Sequence, residues 1–131
     1  MNLRRFVPEL HMDALAGILV ARNTSVPKVD ELPAIGCIIY DFETPVCTAF
    51  LRRCEGKYGQ IDGLASNPKV SSQKRHIALD QAIQFCLAQA KTHDITHIIS
   101  ITSDNPTLQR AIRNGFTELP DYTISVLNQK E

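Results

Sequence analysis

The sequence predicts an α/β (α+β) domain whose mixed, mostly antiparallel sheet is flanked by helices. Three observations predict it. Apolar residues recur at helical spacing after Pro8, three short β-branched runs follow one another between Ala34 and Ser66, and a strand, a long helix and a second strand then span Tyr58 to Thr102. Runs joined by short turns pair antiparallel, whereas strand, long helix and strand in succession make a βαβ crossover, normally right-handed and parallel. With 131 residues, 44% of them hydrophobic, the chain is long enough for one core and too short for two comfortable domains, so a single domain over 1–131 is expected.

In chain order, Asn2 to Phe6 is a short potential strand. Pro8 suits a first helical position, and Leu10, Ala14, Ile18 and Ala21 continue one face to an end near Arg22 and Asn23. Thr24 to Pro33 carries two prolines and little periodicity, which predicts a loop or a broken helix. Ala34 to Tyr40 is an apolar strand, Asp41 to Pro45 breaks it, and Val46 to Arg53 returns as a hairpin partner. A turn at Glu55-Gly56-Lys57 leads to a third strand, Tyr58 to Ser66, which Asn67-Pro68 stops, since proline offers no ladder donor. Ser71 or Ser72 caps a helix running to about Lys91, with Leu79, Ala82, Ile83, Cys86 and Ala90 on one stripe and Ala78 and Phe85 beside it. Asp94, which tolerates the left-handed region, returns the chain into a strand at His97 to Thr102. Asn105 caps a further helix that stops at Asn114-Gly115, and Phe116 to Leu119 with Tyr122 to Leu127 form a last strand pair.

Charge narrows the function classes. The 14 basic and 14 acidic residues balance, so no global field draws the chain onto nucleic acid or a membrane surface. Pro8, Glu9, His11 and Asp13 interrupt the apolar N-terminal stretch, which argues against a secretory signal. No window approaches the roughly eighteen uninterrupted apolar residues of a membrane span. A soluble, cytoplasmic protein is expected. The four cysteines, Cys37, Cys47, Cys54 and Cys86, lack C-x-x-C spacing and fall in apolar patterns, which predicts reduced, buried thiols. His93 and His97 are four apart, but a break lies between them, so no zinc pair is expected and no metal is assigned. Neither a G-x-S-x-G elbow nor a G-x-x-x-x-G-K-[ST] loop is present.

The start of the long helix carries Lys74, Arg75 and His76, where cations oppose the positive pole of the helix dipole. An anion docked there would reverse that sign, because free backbone amides and basic side chains would converge on it. A solvated basic turn explains the same residues equally well. Gly63, in the strand before this turn, suits either a bulge or a tight packing point.

The segment from Ile61 to Phe116 resembles the cofactor-binding core of the GNAT superfamily of N-acetyltransferases, closely over roughly the last seventy residues and in outline before them. Gln73-Lys74-Arg75-His76-Ile77-Ala78 is similar to the family's Q/R-x-x-G-x-G/A motif, which wraps the pyrophosphate of coenzyme A. His76 replaces the central glycine, and two more residues than usual follow Pro68. Asp62 to Ser66 corresponds to the strand that splays so that pantetheine pairs with its backbone. Asn105 and Gly115-Phe116 resemble the family's N…GF signature, and Ala111 stands where many active members carry a tyrosine that protonates the leaving thiolate. Tyr58 and Tyr122 are alternative hydroxyls.

The resemblance implies an acyl-CoA-dependent N-acyltransferase moving an acetyl group from acetyl-CoA to an amine. It places Leu64 and Ser66 at pantetheine, Gln73, Lys74, Arg75 and Ala78 around the pyrophosphate, and Asn105 beside the cofactor. Glu55, Asp62 and His76 are the candidate bases, although Glu55 also reads as a turn residue and Asp62 as a solvent-facing strand position. The altered motif and small size also resemble divergent acetyltransferase-like proteins of bacteriophages. That likeness implies a second role: a catalytically degenerate inhibitor, adaptor or assembly component acting through a protein partner, in the host cytoplasm if phage-encoded. An exposed strand edge leaves room for a dimer.

Overall fold

The computed structural model describes residues 1–120, 123 and 125–127. They fall in two compact units, Met1–Ile101 and Thr102–Glu131. The first unit contains strand β1 (Asn2–Arg5), helix α1 (Pro8–Ala21), a 3-10 turn at Val29–Glu31, strands β2 (Ile35–Asp41), β3 (Thr44–Arg53) and β4 (Tyr58–Ser66), helix α2 (Ser72–Thr92) and strand β5 (His97–Ser100). The sheet order is β1-β2-β3-β4-β5, antiparallel except for the parallel pair of β4 and β5. The mixed sheet and the crossover from β4 through α2 to β5 are therefore as the sequence predicts.

Strand alternation divides the core. Phe6, Leu15, Leu19, Ile38 and Phe50 form one cluster on the α1 side, with Met12, Leu32, Tyr40 and Ala65 packed against it. On the other side α2 presents Ala78, Ala82, Ile83, Cys86 and Ala90, all buried. Ala78, Ala82, Cys86 and Ala90 recur every fourth residue, and their small side chains let the helix seat closely on the sheet. Ala78 takes the stripe position expected for Leu79, which is only half-buried. Cys37, Cys47 and Cys86 are buried, whereas Cys54 is exposed, because it sits just past the end of β3 rather than inside it. Burial pushes the Cys86 thiol up to about 12. Burial, with Cys86 and Cys47 beside it, pushes Cys37 up as well, so both thiols are held in the unreactive neutral form.

Both helices of this unit end in a left-handed residue with paired backbone bonds. At α1, Asn23 has φ +55°, and Thr24 N–H reaches the Leu19 carbonyl at 2.9 Å. At α2, Asp94 has φ +57°, as its residue type predicts, and Ile95 N–H reaches Ala90 at 2.8 Å. Ser71 caps α2, its hydroxyl accepting from Lys74 N–H at 3.4 Å. The expected break at Asp41 to Pro45 is shorter in the structure. Asp41 pairs with Thr44, so Thr44 and Pro45 belong to β3, and a register shift beside Tyr40 accommodates the proline.

The second unit holds helix α3 (Asn105–Arg113). Asp104, not Asn105, caps it: its carboxylate accepts from Thr107 N–H at 3.0 Å and from the Thr107 hydroxyl at 2.6 Å. The helix starts one residue earlier than expected because a carboxylate can take both donors at once. Gly115, φ +95°, and Phe116 close it, with Gly115 N–H bonded to Ile112 and Phe116 N–H to Ala111. The expected strand at Phe116 to Leu119 does not form: the Phe116 amide is spent on that helix end, and these residues pair with no strand among the described residues. Its expected partner, Tyr122 to Leu127, lies partly outside the described residues.

Candidate functional site

The site is built around an irregularity in β4. Thr48 pairs with Ala65 and Phe50 with Asp62, so between these pairs β4 has two residues where β3 has one, and Gly63 and Leu64 together face Ala49. Gly63 takes φ +59°, and a Cβ there would lie 2.6 Å from Phe50 Cδ1, so the Phe50 ring and the backbone both require glycine. Local polar groups pin the bulge. Asp62 Oδ1 accepts from Gly63 N–H at 2.8 Å, and the buried Thr48 hydroxyl donates to the Gly63 carbonyl at 3.0 Å. Arg52 donates to Asp62 Oδ2 from Nε at 3.2 Å and Nη2 at 2.8 Å, and its Nη2 also reaches the Glu31 carbonyl at 3.1 Å.

Just ahead of the bulge, β4 parts from β5. Its last pair with β5 is Ile61 with Ser100, while its pairing with β3 continues to Ser66. Asn67 N–H bonds to the Val46 carbonyl at 2.7 Å, so the preceding residue, Ser66, turns its own N–H and carbonyl away from β3. Leu64, two residues earlier, shares that direction. The backbone of Leu64 and Ser66 thus faces the open side of β4 where β5 has ended. Arg22, at the C-terminus of α1, reaches this edge: Nε donates to the Ser66 carbonyl at 2.9 Å and Nη2 to its hydroxyl at 2.8 Å.

The same end of β4 feeds the start of α2. Ser71 is the cap and Ser72 the first helical residue, so the free amides at this end are those of Ser72 and Gln73, with Lys74 held only by the long bond to Ser71. Gln73 and Lys74 are exposed, and Lys74 Nζ pairs with Asp41 Oδ2 at 2.6 Å. That pair offsets the cost of a cation in the first helical turn. Arg75 Nε is buried without a hydrogen-bond partner, alone in this among the described residues. A buried donor left unpaired costs about 1–3 kcal/mol, which an anion at this turn would recover. The donor set therefore fits a phosphate group.

Other candidates fall elsewhere. Ala78 lies in the second turn of α2, fully buried against the sheet, so its contribution is to close packing and its amide belongs to the helix ladder. His76 is exposed on α2, its Nε2 3.6 Å from Asp80 Oδ2. Glu55 stands exposed in the turn before β4, at the opposite end of the strand from the bulge and the helix start. Tyr58 shares that far end, stacked on His97 with ring centroids 4.7 Å apart, and does not approach Leu64 or Ser66. Asn105 opens α3 in the second unit, and Ala111 lies half-buried within that helix. Tyr122 is outside the described residues. Of the proposed bases, Asp62 alone adjoins the bulge. Arg22, Arg52, Thr48 and Asp41 were not singled out from the sequence. Their partners lie 44, 10, 15 and 33 residues away, so no local pattern marks them.

Solved structures share this fold. A probable acetyltransferase of unknown function from meticillin-resistant Staphylococcus aureus superposes with a TM-score of 0.75 at 12% identity, covering 98% of each chain. The chain has the GNAT fold. A GNAT-family acetyltransferase from Staphylococcus aureus Mu50 gives a TM-score of 0.73 at 14% identity, over 99% of this chain and 94% of that one. Glucosamine-6-phosphate N-acetyltransferase from Arabidopsis thaliana gives 0.66 at 10% identity, over 99% and 98%. No protein-family model matches the sequence, and no curated protein matches it.

Proposed function

We propose that the chain is an acyl-CoA-dependent N-acyltransferase that carries an acetyl group from acetyl-CoA to an amine. The observation that carries this reading is the outward-turned backbone of Leu64 and Ser66 at the point where β4 loses β5, directly ahead of a basic helix start. The pantetheine amides pair with Leu64 and Ser66 as a short added strand. Amides of Ser72 and Gln73 and side chains of Lys74 and Arg75 meet the diphosphate. In this account Ala78 lets α2 sit low enough on the sheet for that turn to approach β4. Acetyl-CoA supplies the acetyl group as a thioester: the new C–N bond forms as the C–S bond breaks, and coenzyme A leaves as a thiolate that takes a proton from water. Asp62 already accepts three donors from Gly63 and Arg52, which leaves about one lone-pair position for an N–H of the acceptor. Its role is to orient the amine and receive its proton, directly or through water. The test is calorimetric titration of acetyl-CoA into the wild type and a Lys74→Ala/Arg75→Ala variant. Saturable binding weakened at least tenfold by the double change is expected; no binding at millimolar ligand would refute the reading.

A second reading, a catalytically degenerate GNAT-fold protein that works by binding another protein, draws support from Ala111, which offers no thiolate acid, and from the engagement of Asp62 by Arg52. Protein that binds acetyl-CoA but transfers acetyl to no amine in a broad panel would favour it. So would a partner recovered equally by wild type and the double variant.

A further inference from the structure

We propose that Arg22 is a cofactor-binding residue that joins the pantetheine strand to the diphosphate. The proposal rests on the acyl-CoA reading of the β4 cleft and extends it to a residue on another element. Ser66 is the last residue of β4, and its carbonyl points away from β3, toward the side where β5 has stopped. A strand-like ligand pairing with Leu64 would run along this edge toward Ser66. The Arg22 guanidinium stands there already, fixed by two bonds of 2.9 and 2.8 Å to the carbonyl and hydroxyl of one residue.

Two features make this more than a surface contact. The bond is a two-donor fork onto a single residue, a geometry that lysine cannot reproduce. Arg22 is also the C-terminal cap of α1, where the dipole favours a cation, so the charge is held in place without a carboxylate to neutralise it. No carboxylate is paired with Arg22 among the described residues, whereas Arg52 is paired with Asp62 and Lys74 with Asp41. Nε and Nη2 face Ser66, and Nη1 is left to donate outward. Ser66 lies five residues before Ser71, so a chain leaving the β4 edge for the α2 start passes the guanidinium. Arg22 thus adds positive charge where the β4 edge leads toward the α2 start, and it holds Ser66 in register for the pantetheine.

Calorimetric titration with two ligands separates these contributions: acetyl-CoA, which carries the diphosphate, and S-acetyl-pantetheine, which does not. For Arg22→Gln the expected result is about tenfold weaker acetyl-CoA binding, a much smaller loss for S-acetyl-pantetheine, and a flatter dependence of acetyl-CoA affinity on salt. Arg22→Lys, which keeps the charge and loses the fork, should fall between wild type and Arg22→Gln. Equal losses for both ligands, or no loss, would overturn the proposal while leaving the acyl-CoA reading intact. Wild-type protein that binds neither ligand would overturn both. Should Arg22→Gln fold poorly, Arg22→Lys serves alone: wild-type affinity in that variant also contradicts the fork.

Discussion

His11 shows how a single side chain sets a testable property of this protein. It is buried beside Phe6 and Tyr40, and its Nδ1 accepts the Val7 N–H at 2.9 Å, so the neutral ring satisfies the amide ahead of α1. Burial, and then the positive Arg4, hold its pKa below the ordinary 6.5. The unfolded chain therefore binds this proton more readily than the folded one. The stabilisation is complete above about pH 6.5 and is lost as pH falls from there through the lower folded value. Urea midpoints should drop between pH 7.5 and pH 5.5, and His11→Gln should flatten that difference; an unchanged slope in the variant would place the pH dependence elsewhere. Phe50 gives a second prediction. A Cβ on Gly36 would lie 2.3 Å from its ring, so Gly36→Ala should destabilise the fold by about 1–3 kcal/mol in denaturant titration. Residue-scale facts of this kind were the least legible in the sequence. From its type and place Gly63 suits either a bulge or a tight packing point, and it is both, but the ring that demands Gly36 comes from a neighbouring strand.

At the scale of elements, the β4 bulge and the α2 start carry the proposed cofactor site. The bulge is fixed from three sides, by Thr48, by Asp62 and through Arg52 by the Glu31 carbonyl. Thr48→Val keeps the side chain's shape and removes one of these bonds, leaving the Gly63 carbonyl without its hydroxyl partner. A loss of about 1–2 kcal/mol of stability is expected. If the acyl-CoA reading holds, cofactor affinity should also weaken, because Leu64 and Ser66 follow directly. Stability lost without any change in affinity would separate the bulge from the binding site. Helix and strand positions were largely readable, since capping serines, prolines and apolar periodicity act locally. The strand expected at Phe116 to Leu119 failed for a physical reason: Gly115-Phe116 closes a helix, and an apolar run becomes a strand only where a partner edge receives it. Likewise Asp104 displaced Asn105 as the cap, because one residue of shift lies within what residue types alone resolve.

For the whole molecule, the mixed sheet with its single crossover was legible, because hairpin turns and a strand–helix–strand order constrain topology strongly. Of the candidate site, the residues local to one turn were readable and those that bridge elements were not. Gln73, Lys74 and Arg75 cluster in sequence, whereas Arg22 meets Ser66 only after α1 and the sheet have packed. His76 shows a different limit. His76 stands where the resembled motif has its central glycine, yet α2 is already helical from Ser72 and His76 sits exposed on its surface. The proposed anion turn therefore lies toward the cap, at Ser71, Ser72 and Gln73. The central claim is that acetyl-CoA lies along the open edge of β4 and ends at that cap. Amide-resolved NMR titration with acetyl-CoA tests it most directly. The account predicts saturable shifts concentrated at Leu64, Ser66, Ser72 and Gln73, with Glu55 and Tyr58 at the far end of the strand unmoved. Saturable shifts centred away from β4 and the start of α2, or none at millimolar ligand, would contradict it.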